Sequence, residues 1–248
     1  RITLEGTDLA GNTGKKFIMS IVYDDVAPKL GIKYPEPNTV VNNLNFAYFL
    51  SEQLGKGQFI YTQTGGEQDP NSPVVLSLSE SELEKMIDVP RLPTNPPVLN
   101  DGSIYNIKFV GEDLATNKTE SDVVENVRYD ITRPKISISY PSGNTFFLGT
   151  EIEMEVSEDL LEAELIWTRT GGLPDDDSPH RMPLSDVLLQ KGTYQARFPI
   201  NESLNTSAIY TFSVEGKDFA DNDVEPVIIQ SVEYIRDLPA KWFYKGAI

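Results

Sequence analysis

Gly6-Thr7-Asp8-Leu9-Ala10-Gly11-Asn12 returns as Gly111-Glu112-Asp113-Leu114-Ala115-Thr116-Asn117, and once more as Gly216-Lys217-Asp218-Phe219-Ala220-Asp221-Asn222. The step is 105 residues both times. Self-similarity at a fixed step marks a chain built of repeated units. Outward from this stretch the register holds to within one residue. Pro28-Lys29 matches Pro134-Lys135, Tyr34-Pro35 matches Tyr140-Pro141, and Ser51-Glu52 matches Ser157-Glu158. Thr64-Gly65-Gly66 matches Thr170-Gly171-Gly172, and Ser72-Pro73 matches Ser178-Pro179. Two complete units are therefore expected, 27–132 and 133–237. Residues 1–26 read as the last strands of a preceding unit, and 238–248 as the start of a following one.

Within each unit, short apolar runs alternate with turn residues, the pattern of an all-β sandwich or barrel. Lys29–Tyr34 and Lys135–Tyr140 are first strands, each closed by a proline. Phe46–Leu50 and Ile152–Val156 follow, then Phe59–Gln63 and Leu165–Arg169, with Val74–Leu78 a fourth. Tyr105, Ile107 and Phe109 alternate with Asn106 and Lys108, as Tyr210, Phe212 and Val214 do with Thr211 and Ser213. A period of two places one face in a core and the other in water. The repeated loop then turns into a last strand, Val123–Tyr129 or Val227–Tyr234. About seven strands per unit fit an immunoglobulin-like sandwich. The fold class read here is thus all-β: tandem immunoglobulin-like β-sandwich domains arranged end to end. Trp167 is the expected core aromatic of the third strand, with Tyr61 in its place in the first unit. Tyr105 and Tyr210 are either tyrosine-corner residues or ordinary core tyrosines. Ser79-Glu80-Ser81-Glu82 has capping-box spacing and predicts a short helical turn. The proline-rich stretch Val89–Pro97 receives no assignment.

Composition narrows the function classes. Lys plus Arg number 21 against 38 Asp plus Glu, a net charge of −17. That balance argues against nucleic acid and anionic membrane surfaces as partners, since both are bound mainly through cationic side chains. No run approaches the roughly 18 apolar residues that would span a bilayer. There is no cysteine, so neither disulfides nor thiolate metal sites are available. The single histidine, His180, follows Asp175-Asp176-Asp177 and reads as solvated loop, like the acidic run itself. Sequons occur at Asn117, Asn201 and Asn205. No catalytic constellation is expected.

One acidic pattern stands out. In an immunoglobulin-like sandwich, the loop between the last two strands, the loop after the second strand and the incoming chain lie at one end. Asp113, Glu52, Asp24 and Asp25 occupy those places in the first unit. Asp218, Glu158, Asp159 and Asp130 occupy them in the second. Hard oxygen ligands in such number suit Ca2+. The competing reading is that Asp and Asn cap tight turns.

The Asp8–Asn12 hairpin, the Asp-x-x-x-Pro linker (Asp24 to Pro28, Asp130 to Pro134), and Trp167–Gly172 with its later Ser178-Pro179-His180 resemble the immunoglobulin-like tandem repeats of giant secreted bacterial adhesins and surface proteins. Thr116 and Asp221 depart from that pattern at the second glycine of the loop, which bears on turn type. The resemblance implies an extracellular or cell-surface location and a spacer role, with neighbouring repeats as partners and, in some such proteins, calcium between domains. Two other functions remain open. One is a module whose loops Glu67–Asn71 and Leu173–His180 bind glycan or protein, on a host surface or another copy. The other is an accessory region of a secreted polysaccharide-degrading enzyme.

Overall fold

A computed structural model describes residues 2–19, 22–84, 86–148, 151–197 and 204–236. The expected start of a further repeat at 238–248 and the sequon at Asn201 lie outside them. The first described element is a hairpin of β1 (Ile2–Thr7) and β2 (Thr13–Ile18). The first repeat contains β3 (Leu30–Tyr34), β4 (Val40–Val41), β5 (Phe46–Leu50), β6 (Leu54–Gly66), β7 (Val74–Ser77), the helical turn α1 (Glu80–Leu83), β8 (Ile87–Arg91), β9 (Ser103–Asp113), β10 (Lys118–Glu120) and β11 (Val124–Tyr129). The second contains β12 (Ile136–Tyr140), β13 (Phe146–Leu148), β14 (Glu151–Val156), β15 (Leu160–Gly172), β16 (His180–Pro183), β17 (Gly192–Arg197), β18 (Ala208–Asp218) and β19 (Val227–Ile235).

The two repeats share one topology. A three-stranded sheet, β3-β5-β8, accompanies a larger one of order β4-β11-β9-β6-β7, with β10 paired to β9. In the second repeat the orders are β12-β14-β17 and β13-β19-β18-β15-β16. Each repeat therefore starts in the small sheet and crosses at once to the large one, where β4 and β13 pair parallel to the last strands β11 and β19. All other pairings with a described register are antiparallel. The fold is an immunoglobulin-like sandwich.

The cores explain the alternation. Phe46 and Tyr48 from the small sheet meet Phe59 and Phe109 from the large one, with ring centroids 5.2–5.7 Å apart. In the second repeat Ile136, Met154 and Val156 pack against Leu165, Trp167 and Phe212 in one buried cluster. Tyr61 stands edge-on to Tyr105 at 6.3 Å, as Trp167 does to Tyr210 at 6.2 Å. The smaller ring thus keeps the geometry of the larger one. The recurring serines sew strands together: Ser51 Oγ accepts the Lys29 amide and Ser157 Oγ the Lys135 amide, both at 2.8 Å.

Several elements differ from the expectation. The third strands are longer, because Leu54 and Leu160 already point inward while charged neighbours occupy the outer face. The unassigned Val89–Pro97 begins inside β8, whose Phe46↔Arg91 and Tyr48↔Ile87 pairing makes it a sheet edge. An edge strand tolerates Pro90 because one side needs no amide. The capping box forms: Glu82 Oε2 accepts from the Ser79 amide and hydroxyl.

By compactness the chain divides into two units. One comprises Arg1–Thr39, Leu44–Leu99 and Ile104–Val127; the other gathers Val40–Asn43, Asn100–Ser103 and the chain from Arg128 onward.

Candidate functional site

The repeated turn is closed by its own aspartate. Asp218 Oδ1 accepts the amides of Ala220 (2.7 Å) and Asn222 (2.9 Å), and Oδ2 accepts the Asn222 side-chain amide (2.9 Å). Asp113 does the same with Ala115 and Asn117. So does Asp8 with Ala10 and Asn12. Such bonding lets Asp stand in for backbone in a tight turn. It also accommodates the departures at the second glycine: Thr116 and Asp221 take the positive φ (74° and 70°) that Gly11 has at 87°.

The turn then holds the incoming chain. Asn117 Nδ2 donates to the Asp24 carbonyl at 3.2 Å, and Asn222 Nδ2 to the Asp130 carbonyl at 2.9 Å. In the second compact unit the linker is fixed further. Asp101 accepts from the Ile131 amide (2.8 Å) and the Thr132 hydroxyl (2.5 Å). Arg133 donates to the carbonyls of Asp223 and Val224.

This arrangement brings carboxylates together in both units. Asp24, Glu52 and Asp113 form one triplet and Asp130, Glu158 and Asp218 the other; within each, one oxygen per residue lies within 4.8 Å of the others. The remaining two sequence candidates stand outside the triplets. Asp25 accepts from the Tyr23 hydroxyl (3.1 Å), and Asp159 from the Lys191 amide (2.8 Å).

The two triplets differ electrostatically. Burial opposes ionisation of Asp113, but bonds from Asn117, Ala115 and Thr116 outweigh it and hold its carboxyl below the ordinary value. Burial pushes Asp130 up, aided by Asp101 and Asp218, against the Arg128 guanidinium and the Thr132 amide. Arg128 lies 3.1 Å from Asp130. Glu158 is raised by burial first, then by Asp130 and Asp218. Three acids and one arginine leave excess negative charge that a hard cation could neutralise.

A second recurring feature escaped the sequence reading. Asp175, expected in a solvated loop, is a buried acid, and so is Asp69 of the Glu67–Asn71 loop. The Tyr105 hydroxyl donates to Asp69 at 2.6 Å, and the Tyr210 hydroxyl to Asp175. These tyrosines thus anchor a loop through a carboxylate. His180 Nε2 sits 2.7 Å from Asp175 with only 11% of its side chain exposed, so the expectation of a solvated histidine is also corrected. The usable signal was the recurrence of both acids in repeat register, each upstream of Ser-Pro. Bonds from Tyr210 and His180 outweigh burial and hold Asp175 below its ordinary value.

No family model matches the chain, and no curated protein matches it. Among solved structures it is similar to the fibronectin(III)-like modules of Clostridium thermocellum CbhA, at 13% identity and a TM-score of 0.36 over 84% of this chain and 95% of that one. It is also similar to murine CEACAM1b, at 13% identity and 0.31 over 84% and 100%. A third similarity is to the tetra-tandem repeat in the extending region of a large adhesion protein, at 12% identity and 0.30 over 92% of this chain and 55% of that one. At such TM-scores these likenesses carry no argument. The immunoglobulin-like assignment stands on the strand order and cores above.

Proposed function

We propose that the chain is a non-catalytic spacer: tandem immunoglobulin-like repeats that extend a longer extracellular or surface protein, stiffened by calcium at the acidic triplets. The observation that carries this reading is recurrence. The same sandwich, turn and triplet recur along the chain, with only six residues, 130–135, between the last strand of one repeat and the first strand of the next. A spacer needs just this, a module whose two ends are built to be continued.

The donor set fits the ion. Ca2+ binds carboxylate oxygens at about 2.3–2.6 Å, so opposed ligands lie up to roughly 5 Å apart. In each triplet one oxygen per residue lies within 4.8 Å of the others, inside that limit. In the second unit Asp130, Glu158 and Asp218 would hold the ion, which supplies positive charge where burial and mutual repulsion disfavour ionisation.

Small-angle scattering and thermal melts in calcium and in chelator test the reading. We expect calcium to lengthen the maximum dimension and raise the melting temperature, because a ligand bound only by the folded form stabilises it by mass action. Identical profiles in both buffers overturn the calcium part. A compact, collapsed particle in both overturns the spacer itself.

A further inference from the structure

The residue after the turn aspartate is large and apolar in all three copies, and it points outward. Leu9 is 110% exposed, Leu114 71% and Phe219 58%. The turn does not need it, since the aspartate bonds the second and fourth residues beyond itself and leaves the first free of any role in closure. The next residue follows the same order. Ala10 and Ala115 are exposed, whereas Ala220 is buried.

Burial rises with the amount of preceding repeat available to each turn. The 8–12 turn has none in this chain. The 113–117 turn has the stretch at Asp24–Val26, held by Asn117. The 218–222 turn has more. In the second compact unit Phe219 and Ala220 line one cavity together with Val40 of β4 and Arg128 of β11; the three carboxylates of the acidic triplet line the same cavity. Val40 offers a branched apolar surface, and an arginine stem can cover apolar area while its head stays in water.

We infer that this side chain is a plug, and that its partner is the end of the preceding repeat: the short strand equivalent to β4 and the strand equivalent to β11. The inference rests on the reading of the chain as tandem repeats. The polar closure of the turn sets its shape, and the plug sets what it docks on.

The test uses the 248-residue chain and hydrogen exchange. The reporter is the Asp130 amide, which donates to the Val41 carbonyl at 3.0 Å beside the socket. Phe219→Ser should speed its exchange about tenfold or more, as a local opening does. Phe219→Leu, the residue of the other two copies, should leave it near the parent rate. Leu9→Ser and Leu114→Ser should change neither that amide nor the melting temperature. Should Phe219→Ser unfold the second unit, Phe219→Ala against Phe219→Leu gives the same comparison. Parent-like exchange of Asp130 in the serine or alanine variant overturns the plug, as does a Leu9→Ser effect as large as that at Phe219. Failure of the spacer reading would appear instead in the scattering profile, with the exchange result unaltered.

Discussion

Asp218 has two duties that substitution can separate. Asp218→Ala removes the acceptor for the Ala220 and Asn222 amides, and stranding such donors costs about 1–3 kcal/mol. Asp218→Asn keeps an oxygen for both backbone amides but loses the charge and the Oδ2 acceptor of the Asn222 side-chain amide. We therefore expect the alanine variant to melt well below the parent, and the asparagine variant to melt between the two in chelator while losing most of the calcium response. Equal calcium responses in parent and Asp218→Asn would reduce Asp218 to a turn cap. Glu158 permits a sharper test. Its carboxyl is raised in the fold, so between the unfolded value near 4.3 and the folded one the native state holds the extra proton, and stability falls as pH rises. Glu158→Gln should flatten that decline and raise the melting temperature in chelator at neutral pH; a lower melting temperature there would count against charge repulsion in the triplet. Asp175 has the opposite sign. Its lowered carboxyl contributes stability above the unfolded value, near 3.9, which is lost as pH falls through the folded one. The triplets were legible at this scale because their acids recur beside recognisable turns. Asp69 and Asp175 were not, because an acid in a polar loop looks solvated until a buried tyrosine claims it.

Elements were legible where burial alternates and obscure where it does not. β9 and β18 alternate over most of their 11 residues and were readable directly. β4 and β13 span two and three residues, too few to show a period, and their place comes from pairing with the last strand. The Gly-Gly turns illustrate how local strain selects sequence. Gly172 has φ +67°, and a Cβ there would lie 2.2 Å from the Ser207 carbonyl oxygen. At Gly171 the nearest atom is a flexible Ile209 side chain at 3.6 Å. Gly172→Ala should therefore cost more than about 1 kcal/mol of stability, from the left-handed backbone alone. Gly171→Ala should fall within about 0.5 kcal/mol of the parent, as a substitution meeting no such feature does. Chemical denaturation of the two variants gives the comparison, and equal midpoints would refute it.

For the whole molecule, the repeat step was the legible property, and the strand order of the two sandwiches follows it. What a sequence comparison could not reveal is how each sandwich is closed. The crossing of β4 and β13 into the large sheet lays the start of each repeat alongside its end, in parallel. Suppose the chain is drawn taut from both ends. Antiparallel terminal strands would peel apart one hydrogen bond at a time, but parallel neighbours are dragged lengthwise past each other, so their bonds are loaded together. The Asn144 amide on Gln230 and the Glu233 amide on Thr145 must then fail almost at once. The second repeat has three such residue pairs, the first only two. Stretched between a bead and a surface, the first repeat should yield at lower tension than the second, so that a strand of two residues sets the tensile limit of the pair.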